Sequence, residues 1–226
     1  MTAALSLGKL VDSSPHLDDP ATLRSRATEQ GYLFFRSLID PADVLALRSL
    51  ILPACGESFG SYDDPRWIEL QCRVHPSDEF HRLRANPAIR RVLEAVLEGP
   101  VRSDRGDTCR IFSPRSPELT TLPHQDRFYV PGDGALWTVW IPLGDCPLDL
   151  GGLAVLPGSH REGLKVHSRE QAGARGVEVN LDATWSTEDY RCGDVLMFNG
   201  LTLHRALENR SDRCRLSADF RFDREP

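Results

Sequence analysis

Residues 122–130 of the chain read LPHQDRFYV, and this stretch decides how the rest of the sequence is interpreted. His124 and Asp126 stand two positions apart among residues that favour a β-strand. Because residues i and i+2 of a strand point to the same face, we expect the imidazole and the carboxylate to emerge side by side. The stretch therefore supplies two candidate ligands for a metal ion, and a third must come from elsewhere in the chain.

The best candidate for the third ligand is His204, which lies in the segment FNGLTLHRA. Asn199 and Gly200 predict a tight hairpin turn, after which Thr202, His204 and Ala206 would share one face of the returning strand. The small neighbours would leave room around the imidazole. Two histidines and one carboxylate with open positions opposite them are typical of non-haem Fe(II) oxygenases.

A third feature follows in the segment RCRLSADFRF, which begins at residue 213. Arg215 and Ser217 would share one face of a strand, 215 − 204 = 11 residues beyond the candidate histidine. A guanidinium group can hold a carboxylate through two hydrogen bonds, and a neighbouring hydroxyl can add another. We interpret Arg213 and Arg221, on the same strand, as surface residues.

The first hundred residues have helical patterns. An Asp or Asn followed by Pro predicts helix starts at residues 19–20, 40–41 and 86–87. Residues 32–35 form an apolar run that predicts a buried strand, and residues 67–74 predict a further strand. We expect residues 1–18 to form an edge strand or a loose terminus, and residues 53–66 to form a loop.

From residue 101 onward, short alternating runs separated by Gly, Pro, Asn and Asp predict strands. The runs are 108–112, 123–130, 135–143, 152–156, 177–181, 194–198, 201–206 and 213–222. This spacing is typical of a sandwich or barrel, and a jelly roll fits it best. The sequence therefore predicts one domain over residues 1–226, mostly β, with a helical support region at 1–100 packed outside a jelly-roll core at 101–226.

The composition of the chain argues against nucleic-acid and membrane partners. A formal net charge of −6 argues against a nucleic-acid partner, which usually requires a basic surface. No apolar run approaches the length of a membrane span, and the N-terminus is too short and too interrupted for a signal peptide. The six cysteines include no Cys-x-x-Cys pair and fit reduced thiols. We therefore expect a cytoplasmic protein without a membrane partner, and the sequence carries no signal for an oligomeric state.

The region from about Cys109 to Phe222 resembles the phytanoyl-CoA dioxygenase-like family of Fe(II)/2-oxoglutarate oxygenases. The matching motifs are PHQD at 123–126, WTVWIPLGD at 137–145, GGLAVLPGSH at 151–160 and GDVLMF at 193–198, followed by His204 and Arg215. The resemblance implies a double-stranded β-helix of the cupin-like jelly-roll type. It also implies that the protein uses 2-oxoglutarate and O2 to oxidise a small-molecule substrate, with formation of succinate and CO2.

The resemblance also implies roles for particular residues. The metal ligands of Fe(II), which are also the catalytic residues, would be His124, Asp126 and His204. Arg215 would bind the distal carboxylate of 2-oxoglutarate with help from Ser217. Trp140 would lie beside this cosubstrate, and Thr138 would share its strand face.

Related halogenases have a small residue in place of the carboxylate ligand, so the presence of Asp126 favours hydroxylation over halogenation. Gln125 is expected to point away from the metal, and His160 is expected to have a structural role. The remaining substrate-pocket candidates are Arg73 and His75 on the earlier predicted strand, Phe128 and Tyr129 after the metal pair, and residues 113–122 as a lid. Arg73 and Arg127 weakly favour an anionic substrate.

Two other functions stay open at the level of sequence. One is a cupin-like metalloenzyme that uses another divalent metal without 2-oxoglutarate. The other is a jelly-roll binding module without catalysis. Arg215 with Ser217 argues against the first, which has no need of a dicarboxylate site. Retention of three candidate ligands argues against the second.

Overall fold

Two β-sheets face each other in the computed structural model, which describes residues 5–55, 64–103, 106–114, 120–132, 134–171, 174–180 and 182–225. The strands are β1 Ser6–Lys9, β2 Tyr32–Phe35, β3 Val101–Arg102, β4 Thr108–Phe112, β5 Trp137–Pro142, β6 Leu153–Val155, β7 Arg169–Gln171, β8 Ala174–Gly176, β9 Thr184–Thr187, β10 Val195–Asn199, β11 His204–Ala206 and β12 Arg215–Arg224. The helices are α1 Pro20–Gln30, α2 Pro41–Ile51, α3 Pro65–Val74, α4 Asp78–Arg84, α5 Pro87–Leu97 and α6 Asp126–Tyr129.

The major sheet has the strand order β2-β10-β5-β12-β3, and β4 also pairs with β12. The minor sheet has the order β1-β9-β6-β11, in which β1 and β9 are parallel. Strands β7 and β8 form a separate two-stranded ribbon. The predicted jelly roll, mostly β with helices on the outside, is confirmed.

Alternation along the strands of the major sheet separates two layers of side chains. On β10, Val195 and Met197 pack in the cluster that also holds the buried residues of α1 to α5, whereas Leu196 and Phe198 pack in a second cluster with residues of β6 in the minor sheet. Because side chains alternate across a sheet, one face of the major sheet carries the helices and the other lines the inside of the roll. The inside face positions the candidate site.

The helices begin where the capping signals predict. Asp19, Asp40 and Asn86 cap α1, α2 and α5, and each accepts hydrogen bonds from backbone N–H groups in the first turn. A proline occupies the first helical position in all three helices, where its missing N–H costs nothing. Gly31 ends α1 with a φ of 76°, in the left-handed region that glycine adopts without strain.

Three elements differ from the sequence-based expectations. The predicted strand at residues 67–74 is wrong because these residues belong to α3, whose buried residues Trp67, Leu70 and Val74 recur at helical spacing. Helix α4, capped by Ser77, was not expected within the first hundred residues. The predicted strand at 177–181 is wrong over residues 177–180, which follow the end of β8 at Gly176 and belong to no strand, and residue 181 lies outside the described residues.

The predicted hairpin at Asn199 and Gly200 is also wrong. Strand β10 pairs with β2 on one side and β5 on the other, so neither edge is available to β11. Instead β11 pairs with β6 in the minor sheet. The turn therefore carries the chain from one sheet to the other.

Two predicted segments include residues that the structure does not describe. Residues 115–119 of the expected lid and residues 56–63 of the predicted 53–66 loop fall outside the described residues. The loop prediction is wrong at residues 65–66, which begin α3. The edge-strand expectation for the N-terminus is confirmed by β1. All six cysteines are free.

Among the described helices, none has the length and hydrophobicity required to cross a bilayer. A single domain over residues 1–226 stays a prediction.

Candidate active site

The two candidate histidine ligands are brought together by the backbone. The N–H of His124 donates to the carbonyl of His204, and the N–H of His204 donates to the carbonyl of His124, both at 3.0 Å. This antiparallel bridge links residues 80 positions apart (204 − 124 = 80) and places the ring centroids 4.1 Å apart. The pairing thus sets the first two members of the site.

Each histidine uses one ring nitrogen for the backbone. Nδ1 of His124 lies 2.7 Å from the carbonyl of Leu122, and Nδ1 of His204 lies 3.0 Å from the carbonyl of Thr202. A carbonyl can only accept, so Nδ1 carries the proton and Nε2 keeps its lone pair. Hydrogen bonds of this kind orient metal-ligating histidines in general.

Asp126 completes the group at the first residue of α6. The predicted strand at 123–130 is therefore wrong beyond Gln125, although the expected convergence of the two side chains holds. Oδ1 of Asp126 lies 3.8 Å from Nε2 of His124 and 3.6 Å from Nε2 of His204. Among the described residues, these three form the one group of His, Cys, Asp and Glu whose ligand atoms all lie within 4.8 Å of one another.

The protonation states suit a cation. Burial, reinforced by the neighbouring His204, lowers the pKa of His124 well below its ordinary value. Burial also lowers the pKa of His204, against the opposing effect of Asp126. Burial by itself would raise the pKa of Asp126, but the Arg221 guanidinium and the histidines hold it well below the usual range. The group therefore offers two neutral imidazoles and one carboxylate.

Two residues donate hydrogen bonds to the carboxylate of Asp126. The hydroxyl of Thr138 on β5 donates to Oδ2 at 2.5 Å. Arg221 on β12 donates from Nε to Oδ2 and from Nη2 to Oδ1, both at 3.2 Å. The hydroxyl of Thr138 thus contacts the candidate ligand Asp126, and the expected position of Thr138 beside the cosubstrate stays a prediction.

The interpretation of Arg221 as a surface residue is wrong, since only 5% of it is exposed. Arg215, Ser217 and Asp219 are buried on the same strand, in one alternating row with Arg221. The spacing of two residues between these positions was the sequence signal that could have identified Arg221 as buried. Arg213 is exposed, as expected.

Arg215 is almost completely buried, with 1% of its surface exposed. Its Nη1 donates to the hydroxyl of Ser217 at 2.8 Å, and its Cζ lies 3.8 Å from the centroid of the Phe112 ring. Trp140 lies further off, with its ring centroid 6.0 Å from Cζ. Stacking and the hydroxyl contact hold the guanidinium in one orientation inside the roll.

An inner cavity joins the metal candidates to Arg215. It is lined by Arg110, Phe112, Thr121, His124, Asp126, Trp140, Leu153, Phe198, His204, Ala206, Arg215, Asp219 and Arg221. The indole Nε1 of Trp140 is buried and has no hydrogen-bond partner among the described residues. A buried N–H donor without an acceptor is costly, so this wall of the cavity suits a ligand that carries an acceptor oxygen.

An outer cavity of about 350 Å³ adjoins the inner one. It shares five lining residues with the inner cavity and is completed by Gly106, Leu122, Tyr129, Val130, Ala174 and Arg175. Its volume lies within the range of pockets for small molecules. Arg110, at the junction, donates from Nε to Oδ2 of Asp219 at 2.6 Å.

Of the other residues predicted to line the substrate pocket, some lie at the site and some lie away from it. Tyr129 lines the outer cavity. Phe128 stacks on His167 with centroids 4.1 Å apart. Arg73 and His75 lie on or beside α3, and neither is among the residues that line the two cavities.

Gln125 and His160 have the expected positions. The Gln125 side chain donates to the carbonyls of Gly163 and Leu201, at 2.9 and 2.6 Å, and so points away from the metal candidates. Nε2 of His160 lies 3.0 Å from the carbonyl of Thr28, which ties its loop to α1. Both contacts stabilise the segments that carry the site.

A sequence profile of the phytanoyl-CoA dioxygenase family matches residues 27–217, which include the three metal candidates and Arg215. This chain belongs to the phytanoyl-CoA dioxygenase family. It is thus a non-haem oxygenase that depends on iron and 2-oxoglutarate. Family membership favours this activity over the cupin-like metalloenzyme and the binding module.

Proteins of known activity that are similar to this chain include a hydroxylase. The 1-deoxypentalenic acid 11-beta-hydroxylase of Streptomyces exfoliatus is 28% identical over 96% of this chain and 86% of its own length. The epimerase SnoN, solved with Fe3+, alpha ketoglutarate and nogalamycin RO, has a TM-score of 0.70 at 24% identity, over 91% of this chain and 85% of its own. The carbocyclase SnoK from nogalamycin biosynthesis has a TM-score of 0.68 at 21% identity, over 96% and 87%. The solved structures share the fold.

Proposed function

We propose that this protein hydroxylates a small, largely apolar carboxylic acid, with Fe(II) held by His124, Asp126 and His204 and 2-oxoglutarate held by Arg215. The observation that carries the proposal is the convergence of the three ligand atoms in the same cavity as a buried guanidinium. Each residue in this assignment has a physical reason.

The donor set fits Fe(II). Two imidazole nitrogens and one carboxylate oxygen on one side of a cation leave its other positions open, which is the ligand pattern of non-haem iron oxygenases. The Nδ1 hydrogen bonds to backbone carbonyls aim Nε2 of His124 and His204 at Oδ1 of Asp126. The low pKa values of both histidines keep Nε2 free of a proton near neutral pH.

The chemistry of the inner cavity fits 2-oxoglutarate. A guanidinium held by Ser217 and Phe112 can bind one carboxylate of this dicarboxylate. Since the three candidate ligands line the same cavity, the other end would face the metal. The Nε1 of Trp140 is a further donor in the same cavity. We therefore assign Arg215 and Ser217 to the distal carboxylate and keep Trp140 beside the cosubstrate.

When bound, Fe(II) with 2-oxoglutarate activates O2 for hydroxylation of a C–H bond, with release of succinate and CO2. The protein contributes orientation and exclusion of water. Phe198, Leu153 and Phe112 contribute apolar side chains to the wall of the inner cavity, which helps to exclude water.

The outer cavity supports the choice of an acid. Arg175, and Arg110 in its ion pair with Asp219, line it together with Leu122, Val130 and Ala174, so that cationic groups lie beside apolar ones. Asp126 is the one acidic residue among its described lining residues, and it is assigned to the metal. The similar hydroxylase from Streptomyces exfoliatus is itself named for an acid substrate. Arg73 and Arg127, the expected source of an anion preference, do not line this cavity.

A panel of small carboxylic acids and their methyl esters tests the proposal through succinate release in the presence of Fe(II), 2-oxoglutarate and O2. We expect turnover with at least one acid and a much higher KM for its ester. Arg175→Gln should raise the KM for the acid about tenfold, the equivalent of about 1.4 kcal/mol. Arg169→Gln, on the neighbouring strand of the same ribbon, is the matched control. Equal turnover of acids and esters would contradict the substrate class.

A further inference from the structure

The lone pairs of Asp126 are almost fully occupied by protein donors. A carboxylate has about four lone-pair directions, two on each oxygen. Oδ2 accepts from the Thr138 hydroxyl at 2.5 Å and from Nε of Arg221 at 3.2 Å. Oδ1 accepts from Nη2 of Arg221 at 3.2 Å, and the same nitrogen lies 3.1 Å from Oδ2. One direction on Oδ1 is left, and Nε2 of His124 and His204 lie 3.8 and 3.6 Å from this oxygen.

We propose that Arg221 and Thr138 are positioning residues that restrict Asp126 to a single bond with the metal, through Oδ1. The proposal rests on the metal assignment made under the proposed function. A carboxylate that bound through both oxygens would occupy a second position on the metal. Reserving Oδ2 for the protein keeps that position open for 2-oxoglutarate or O2.

The two donors are themselves fixed. Thr138 and Arg221 stand directly opposite each other on β5 and β12, so adjacent strands set their separation. Nη1 of Arg221 donates to the carbonyl of Gly106 at 2.8 Å, and its backbone N–H donates to Asp107 at 2.8 Å. These contacts hold Arg221 independently of Asp126, so we expect the guanidinium to keep its place when the carboxylate rotates.

The three side chains of this arrangement are almost completely buried. Asp126 is 2% exposed, Thr138 1% and Arg221 5%. Loss of either donor therefore leaves Oδ2 with fewer protein hydrogen bonds at a buried position, where a bond from Oδ2 to the metal would compensate for the loss. Removal of the donors should thus convert Asp126 from one metal bond to two.

The experiment compares Arg221→Met, Arg221→Lys and Thr138→Val with the wild type. Arg213→Met, an exposed arginine just before the same strand, is the matched control. Each protein is loaded with Fe(II) and 2-oxoglutarate without oxygen and titrated with nitric oxide, which probes the open position. Electron paramagnetic resonance measures the nitric oxide bound, and circular dichroism checks the fold.

We expect Arg221→Met and Thr138→Val to bind nitric oxide about tenfold more weakly or worse, since residues that support metal ligands commonly contribute tenfold or more. Arg221→Lys should lie between Arg221→Met and the wild type, and Arg213→Met should match the wild type. A role in folding alone would not change the affinity for nitric oxide.

Wild-type nitric oxide affinity in folded, iron-loaded Thr138→Val and Arg221→Met would overturn the inference. If Arg221→Met does not retain iron, Arg221→Lys and Thr138→Val decide the matter by the same measurement. Failure of the wild type to bind Fe(II) would instead remove the proposed function, and the inference with it.

Discussion

Single residues at the site are held by contacts that leave one functional atom available. The histidines commit Nδ1 to backbone carbonyls, and Asp126 commits Oδ2 to Thr138 and Arg221. Arg215 is held by Ser217 and by the face of Phe112. Orientation of each group before a ligand binds reduces the cost of ordering it afterwards.

Arg215→Ala should weaken 2-oxoglutarate binding about 100-fold or more, because a buried ion pair that loses one partner costs roughly 3 kcal/mol or more. The dissociation constant of 2-oxoglutarate from the Fe(II)-loaded protein, measured without oxygen, checks this. Arg213→Ala is the control on the exposed arginine two residues earlier. An unchanged constant in Arg215→Ala would place the cosubstrate carboxylate elsewhere.

The sequence indicated the candidate ligands because their chemistry is restricted to a few residue types. It did not indicate Arg221, since a strand rich in arginine offers no local sign of which guanidinium is buried. The alternation Arg215, Ser217, Asp219, Arg221 does place all four on one face. Only the structure shows that Arg221 binds the carboxylate of Asp126.

Helices and strands were predictable where local signals and tertiary context agree. The capped helices α1, α2 and α5 begin at their Asp-Pro or Asn-Pro pairs. Helix α3 has the same signal at Asp64 and Pro65, but it lies at the end of a stretch rich in turn residues. The prediction of a hairpin after β10 was wrong for a different reason. The turn signal does not reveal whether the preceding strand still has a free edge.

The N-cap of α5 gives a prediction at this scale. The Asn86 side chain accepts from the backbone N–H groups of Ala88 and Ile89, and Ile89 is fully buried in the helix-side core. Asn86→Ala should lower the free energy of unfolding by about 1 kcal/mol. Chemical denaturation monitored by circular dichroism measures the loss. Asn86→Asp, which restores an acceptor, should retain most of the wild-type stability, and an equal loss in both variants would argue against capping.

The whole molecule combines a helix-packed core on one face of the major sheet with a polar row on the other. Leu216, Ala218 and Phe220 of β12 face the helices, while Arg215, Asp219 and other polar residues of that strand line the inner cavity or contact residues that do. A single strand thus contributes both to stability and to the site. This division follows from the period of two in a β-strand and needs no separate scaffold.

Burial lowers the pKa of His75, His160 and His167, outside the metal group. The folded state therefore binds fewer protons than the unfolded state as pH falls through the ordinary histidine value of about 6.5. The stability contributed by the neutral forms is present above that value and is lost below it. We expect the metal-free protein to unfold at lower urea concentration at pH 5.5 than at pH 7.5. His75→Gln should reduce this pH dependence, and a wild-type midpoint that does not fall would contradict the prediction.

The central claim is that His124, Asp126 and His204 bind one iron beside a 2-oxoglutarate site. Anaerobic addition of Fe(II) and then 2-oxoglutarate to the metal-free protein tests it by visible absorption. The wild type should develop the charge-transfer band of 2-oxoglutarate chelated to Fe(II), and Asp126→Ala should not. Absence of the band in the wild type, or its full retention in Asp126→Ala, would contradict the claim.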